Sequence, residues 1–204
     1  MSKVRIAAIV EGHGEIESVP LLLRRIAAEV DPALVVEVVG PIRIPADRLR
    51  KAGEMERAVE FAARRLGEGG GIFVLLDCDW EGSCPKTDAP ALLARARTAR
   101  SDLPVALVLA YKEFEAWFIA ACESLRGKRG LANDMAPEPK PEEIRGAKEW
   151  LSRQMPPNMR YSESLDQVAL TAVFDMQAAK RASSFDKCYR EVVSLLSQLQ
   201  TRIN

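Results

Sequence analysis

The sequence predicts an α/β protein: a mostly parallel, Rossmann-like sheet flanked by helices, followed by a helical C-terminal part. Three observations predict it. Short apolar runs recur at residues 6–10 (IAAIV), 34–39 (LVVEVV), 72–76 (IFVLL) and 105–110 (VALVLA). Each has the length and aliphatic, β-branched character of a strand buried on both faces. Helical patterns of ten or more residues separate them, which implies parallel strands joined by right-handed crossovers. Beyond the fourth run only helical patterns follow.

After the first strand, Ser18-Val19-Pro20 reads as a helix start, and the helix runs on through the Leu21–Ala27 stretch to end near Asp31-Pro32. Gly40-Pro41 stops the second strand, and Pro41 and Pro45 bracket a connection carrying Arg43, Arg48, Arg50 and Lys51. A helix over 53–66 is closed by Gly67 and Gly69-Gly70-Gly71. Asp88-Ala89-Pro90 opens the helix of 91–100, Pro104 precedes the fourth strand, and 112–125 reads as a helix. The basic stretch 126–130 and the prolines 137, 139 and 141 form a loop or linker. Helices are expected over 141–154, 164–174 and 185–199, the last with apolar residues at helical spacing. The expected organisation is an α/β core over 1–125 and a helical extension over 126–204 packed on it.

A chain of 204 residues supports one sizeable core, with or without an appendage. Lysine plus arginine balances aspartate plus glutamate at 29 each, so no global field draws the protein to nucleic acid or a membrane, and such a partner needs a local patch. The four cysteines (Cys78, Cys84, Cys122, Cys188) show no paired C-x-x-C spacing and His13 is the sole histidine, which argues against zinc and for reduced thiols in a cytoplasmic protein. The apolar stretch after Met1-Ser2-Lys3-Val4-Arg5 ends at Glu11, too short for a signal peptide, and no run reaches membrane-spanning length. The expectation is a soluble cytoplasmic protein without a membrane partner.

Acidic signatures sit at three strand ends. The first strand runs into Glu11-Gly12-His13-Gly14-Glu15, the third into Asp77-Cys78-Asp79, and the fourth is followed by Glu113-Phe114-Glu115. Ligands of open α/β sheets gather beyond the carboxyl ends of strands. Carboxylates clustered there repel one another unless a cation compensates them, and hard oxygen ligands suit Mg²⁺ or Mn²⁺. Gly12 lets Glu11 lean over the sheet edge unobstructed. Asp77 and Asp79, two apart on an extended segment, point the same way and can reach one ion. Each acid has a plainer reading as a helix N-terminal acid, a turn or a cap. Glu81 and Ser83 lie in the next loop, as solvated residues or as supports to the acidic pair. Trp117 and Phe118 read as core, and His13 as a solvated loop histidine. Gly12-x-Gly14 lacks the third glycine of a dinucleotide loop, and no G-K-[S/T] exists for a phosphate loop.

Glu-Gly after strand one and Asp-x-Asp after strand three resemble the Toprim domain of primases, topoisomerases, recombination proteins and nucleases of the overcoming-lysogenization-defect type. The resemblance implies that Glu11 is a general acid/base or metal ligand and that Asp77 and Asp79 hold Mg²⁺. The chain is similar in more detail to a Toprim-like domain-of-unknown-function family (4276). Its V-E-G-x-x-E falls on residues 10–15, its E-x-E-x-W on 113–117, and its S-F piece on Ser183-Ser184-Phe185, with Tyr161 and Asp166-Gln167 upstream. The resemblance spans residues 4–185. In the nuclease branch a further glutamate four residues after the first joins the site, which falls on Glu15, and Glu113 or Glu115 is then a later ligand. Phosphoryl chemistry also wants a cation, for which Lys148 and Lys180 are candidates, with Arg181. Gly12, Ser83, Arg181 and Ser183 are the expected substrate contacts.

The implied activity is Mg²⁺- or Mn²⁺-assisted phosphodiester hydrolysis on DNA or RNA, that of a nuclease, with phosphate contacts from the basic loops at 43–51 and 126–129. One alternative is a non-catalytic binding or scaffold module beside a separate ATPase, since this chain has no ATP motif. Another is a small-molecule phosphatase or phosphotransferase.

Overall fold

A computed structural model describes residues 3–203; Met1 and Ser2 of the basic N-terminus, and Asn204, lie outside the described residues. Strand β1 (Lys3–Val10) leads to helix α1 (Glu15–Val30), strand β2 (Val35–Arg43), helices α2 (Ala46–Leu49) and α3 (Glu54–Leu66), strand β3 (Gly71–Cys78), helix α4 (Pro85–Ala99) and strand β4 (Val105–Tyr111). Helices α5 (Ala116–Ala120) and α6 (Cys122–Leu125) follow, then single 3₁₀ turns at Lys128–Gly130 and Pro141–Glu143. The chain ends in α7 (Ala147–Arg153), α8 (Glu163–Thr171), α9 (Met176–Ala179) and α10 (Ser183–Ile203).

The four strands are all parallel in the order β2-β1-β3-β4. The expected α/β arrangement is therefore the observed one. Alternate residues of β1, β3 and β4 feed two cores. Val4, Ile6, Ala8 and Val10 face α1 and the C-terminal helices, while Ala7 and Ile9 face α3 and α4. Residues from both sides of position 125 build the first of these cores together. The chain leaves β1 for β2 on one side and later returns to β3 on the other. The carboxyl ends of β1 and β3 thus flank the topological switch point, where open α/β sheets form their binding crevices.

Several boundaries depart from the sequence reading. Strand β2 does not stop at Gly40-Pro41. The pairing steps from Ala7↔Val39 to Ile9↔Ile42, so the pair is absorbed as a bulge on an edge strand, where a missing N–H is tolerated. That continuation brings Arg43 level with Val10. Helix α1 starts at Glu15 and carries Pro20 inside it. Residues 112–115 are not helical: Lys112 adopts a left-handed φ of 65°, and helix begins only at Ala116. The expected 141–154 helix is reduced to a 3₁₀ turn and α7.

The Ser183-Ser184-Phe185 piece is architectural. Phe185 packs edge-on to Trp117 and Phe174, with ring centroids 5.2 and 5.5 Å apart, and Ser184 Oγ accepts the Trp117 indole N–H at 2.8 Å. Glu142 accepts hydrogen bonds from the backbone N–H groups of Ser183 and Ser184 and from the Ser183 hydroxyl, satisfying donors at the start of α10. Trp117 and Phe118 are fully buried, as expected of core residues. All four cysteines are free thiols. Among the described residues no helix is long and apolar enough to cross a membrane.

Because Phe185 fastens the longest C-terminal helix to the aromatic cluster, Phe185→Ala should lower unfolding free energy by about 3–5 kcal/mol in urea denaturation. A loss below about 1 kcal/mol would mean that α10 does not depend on this cluster.

Candidate active site

The turn after β1 is shaped by a carboxylate that reaches backwards. Glu15 is almost fully buried in the first turn of α1, and its Oε2 accepts the backbone N–H groups of Glu11 and Gly12 at 2.8 and 3.1 Å. Helix α8 lies on this turn from above. Glu163 Oε1 accepts the Gly14 N–H at 3.1 Å, and Gln167 accepts the Ser18 hydroxyl at 2.8 Å. A Cβ at Gly12 would come 2.6 Å from Glu163 Oε1, and one at Gly14 would come 2.5 Å from the Glu163 carbonyl and from Gln167 Oε1. Gly14 is needed because the backbone of α8 packs on it, whereas at Gly12 the Glu163 side chain can swing aside. Gly12, expected to contact substrate, lines the cavity.

Glu11 emerges from this turn and crosses to β3, where its Oε2 accepts the Asp77 N–H at 3.1 Å. Asp77 in turn accepts the Phe114 N–H at 2.9 Å through Oδ1. That bond fastens the 112–115 segment over the strand end, after the left-handed Lys112 that keeps a helix from starting there. Glu11, Gly12, Glu15, Asp77 and Asp79 all line one cavity of about 290 Å³. His13, Arg43, Lys148, Glu163 and Gln167 contribute to the same walls.

Glu113 and Glu115, expected as metal ligands, do not line this cavity; they hold a lysine instead. Lys148 Nζ lies 3.2 Å from Glu115 Oε2, 3.3 Å from Glu113 Oε2 and 4.0 Å from Glu163 Oε2. Glu115 is wholly buried, and its Oε1 accepts the Tyr161 hydroxyl at 2.9 Å and the Gln167 amide at 3.2 Å. Its Oε2 has the Lys148 ammonium as ionic partner but no well-directed hydrogen bond. Glu113 also accepts the N–H of Ala147 at the start of α7. The E-x-E segment thus anchors Lys148 so that its ammonium faces the cavity.

The other expected contacts lie elsewhere. Lys180 is stacked on Tyr189, its Nζ 3.8 Å from the ring centroid, and is bonded to Gln177. Arg181 forms a bidentate pair with Glu123 at 2.8 and 2.5 Å. Ser183 is bound to Glu142, and the Ser83 hydroxyl donates to the Cys78 carbonyl. None of these four lines the cavity. Glu163 is the lining carboxylate that the sequence concealed, because an acid following Ser162 has the appearance of an ordinary helix-start residue. Tyr161 and Gln167 were visible only as parts of a pattern.

Five carboxylates and two permanent cations line the cavity. Burial pushes the Glu15 carboxyl up to about 7, with Glu115 and Glu11 adding repulsion that the two backbone N–H bonds offset only in part. Burial likewise raises Asp77, reinforced by Glu15 and Glu115, and it raises Glu11 and Glu115. Burial alone would lower Lys148, but the carboxylates of Glu115, Asp77, Glu113 and Glu163 outweigh it and hold the ammonium firmly protonated. Tyr161 is held neutral by burial and by Glu115, which keeps its hydroxyl a donor.

Oxygen-only donors at this density match a hard divalent cation in kind. Among the described residues, however, no three Asp, Glu, His or Cys groups stand as a ready-made ligand set. The site is therefore an acidic cavity whose strongest present counter-charge is Lys148.

Fold and site together define a doubly wound α/β protein with a carboxylate-lined crevice at its switch point. The sequence matches the family model described as Domain of unknown function (DUF4276) over residues 10–192, and the chain belongs to that family. No curated protein and no solved structure matches it significantly.

The raised Glu15 carboxyl has a defined effect on stability. Between its usual 4.5 and about 7 the folded state holds a proton that the unfolded chain has released, so stability falls as pH rises through that window. Urea denaturation of the wild type should show this fall, and Glu15→Gln should flatten it. Equal slopes in the two proteins would contradict the assignment.

Proposed function

We propose that this protein is a divalent-metal-dependent phosphodiester hydrolase acting on nucleic acid, a nuclease of the kind the Toprim resemblance implies. The observation that carries the reading is the meeting of Glu11, Glu15, Asp77 and Asp79, from two adjacent parallel strand ends, in one cavity with Lys148. Isolated buried carboxylates are costly, and a set gathered where α/β proteins bind ligands suits a cation and an anionic ester together.

Asp77 and Asp79, with Glu11 and Glu15, are the residues that would hold Mg²⁺ or Mn²⁺. Such an ion supplies Lewis acidity to the phosphate and activates the attacking water. Lys148 contributes a fixed ammonium to a non-bridging phosphate oxygen, positioned by Glu113 and Glu115. Where Asp77, Asp79 and Glu15 hold the ion, Glu11, whose carboxyl is raised by burial, is free to hold a proton and deliver it to the departing oxygen. Arg43 stands on the rim, where a second phosphate contact belongs. Any ATP-driven function would need a separate ATPase partner.

One observation favours a second reading, a non-catalytic binding or scaffold module. Without an ion the carboxylates form no three-ligand set, and Lys148 already compensates part of their charge.

With Mn²⁺ or Mg²⁺, the wild type should cleave single- or double-stranded oligonucleotides, and EDTA should abolish cleavage. Asp77→Asn/Asp79→Asn should lower kcat by about a hundred- to a thousandfold, the scale seen when one electrostatic element of a site is lost. Calorimetry should show divalent binding to the wild type that the double variant lacks. Metal binding without turnover of either substrate would favour the module.

A further inference from the structure

An acidic crevice repels a polyanion, so a nuclease built on it needs positive surface nearby to hold the strand. The chain's zero net charge means that this surface must be local. A second depression, larger than the first at about 480 Å³, opens beside the helix that carries Lys148. It is lined by Ser152 and Arg153 of α7 and by Met155, Pro156, Met159 and Arg160 of the following loop.

Two features make this groove suited to a phosphodiester strand. Arg153 and Arg160 are both exposed, and among the described residues neither has a carboxylate or hydrogen-bond partner. Arg95, Arg100, Arg181 and Arg190, by contrast, are paired to acids. The groove carries one acid, Glu149, which sits back against the start of its own helix at Gly146. The basic turn Lys128–Gly130 also adjoins it, since a Cβ at Gly130 would come 2.8 Å from Met159 Cε. The lining is otherwise largely apolar, with Met155, Pro156, Pro157 and Met159, the last 43 % exposed.

The groove is also joined to the acidic cavity. Ser152 Oγ donates to the Lys148 carbonyl at 2.8 Å and accepts the Tyr161 N–H at 3.1 Å. The Tyr161 hydroxyl bonds Glu115, the anchor of Lys148. Helix α7 thus contributes to both, Lys148 lining the cavity and Arg153 the groove.

We propose that this groove binds the nucleic-acid strand flanking the scissile phosphate, with Arg153 and Arg160 contacting backbone phosphates and the methionine–proline lining contacting sugar and base. The inference rests on the hydrolase reading for its substrate, but it is tested separately. Binding of a fluorescein-labelled oligonucleotide, single-stranded and duplex in separate arms, is measured by anisotropy in EDTA across a salt series. Arg153→Ala/Arg160→Ala should weaken binding about tenfold or more. It should also lower the slope of log affinity against log salt by about 1.4 for a single strand, two contacts at about 0.7 each. Arg64→Ala, an exposed arginine of α3 on the opposite face of the sheet, should change neither. Turnover of bis(p-nitrophenyl) phosphate with Mn²⁺ by the wild type, and by Arg64→Ala as its control, reads the hydrolase site separately.

Equal affinity and slope in wild type and double variant would overturn the proposal, as would absence of oligonucleotide binding. Polyglutamate bound as tightly as the oligonucleotide, with the same loss in the variant, would overturn it in favour of an acidic protein partner. Failure of the hydrolase reading alone shows differently: groove-dependent oligonucleotide binding persists while the small diester is not turned over.

Discussion

The ammonium of Lys148 is the point at which sheet, loop and C-terminal helices are tied together. It reaches Glu113 and Glu115 on the segment after β4 and approaches Glu163 on α8, while its own backbone lies on α7. A partly buried charge cluster of this kind adds little net stability compared with an apolar core, but removing the lysine leaves the wholly buried Glu115 without its ionic partner. The placement of α7 and α8 on the sheet brings the lysine to three carboxylates, the Tyr161 hydroxyl to Glu115 and Glu163 to the Gly14 N–H.

That placement makes the C-terminal helices part of the site. The strand ends supply Glu11, Asp77 and Asp79, but Lys148, Glu163 and Gln167 close the cavity from the other side. Helix α8 also sets a glycine requirement in the first turn, because a Cβ at Gly14 would strike the Glu163 carbonyl and Gln167. Raised carboxyl groups at Glu11, Glu15 and Asp77 are the electrostatic consequence of this enclosure. A divalent ion entering the cavity would take over compensation that protons and Lys148 now provide, which links metal affinity to pH and to the geometry of α7.

The parallel sheet and the acids at its switch point were legible because both are written locally. Strand-length apolar runs end in Glu-Gly and Asp-x-Asp, and the period of an extended chain already puts Asp77 and Asp79 on one side. What was not legible depends on contacts between distant segments. Glu113 and Glu115 have the spacing of ligands, and only the arrival of Lys148 from 33 residues beyond Glu115 makes them anchors. Residues 112–125 have helical composition, yet Lys112 takes a left-handed conformation and Asp77 holds the following turn to the strand end, so helix begins only at Ala116. Gly40-Pro41 reads as a strand end, but an edge position lets a bulge absorb it. Lys180, Arg181 and Ser183 were attractive as phosphate contacts by residue type, and each is taken up by a neighbour on the helical side, Tyr189, Glu123 and Glu142 respectively.

The central claim is that the acidic cavity takes a divalent ion. Anomalous diffraction from crystals equilibrated with Mn²⁺ tests it most directly. The account predicts a peak about 2.1 Å from carboxylate oxygens of Asp77 and Asp79, with Glu11 or Glu15 completing the set. A cavity without an anomalous peak at saturating Mn²⁺, with Lys148 still seated against Glu113 and Glu115, would contradict it.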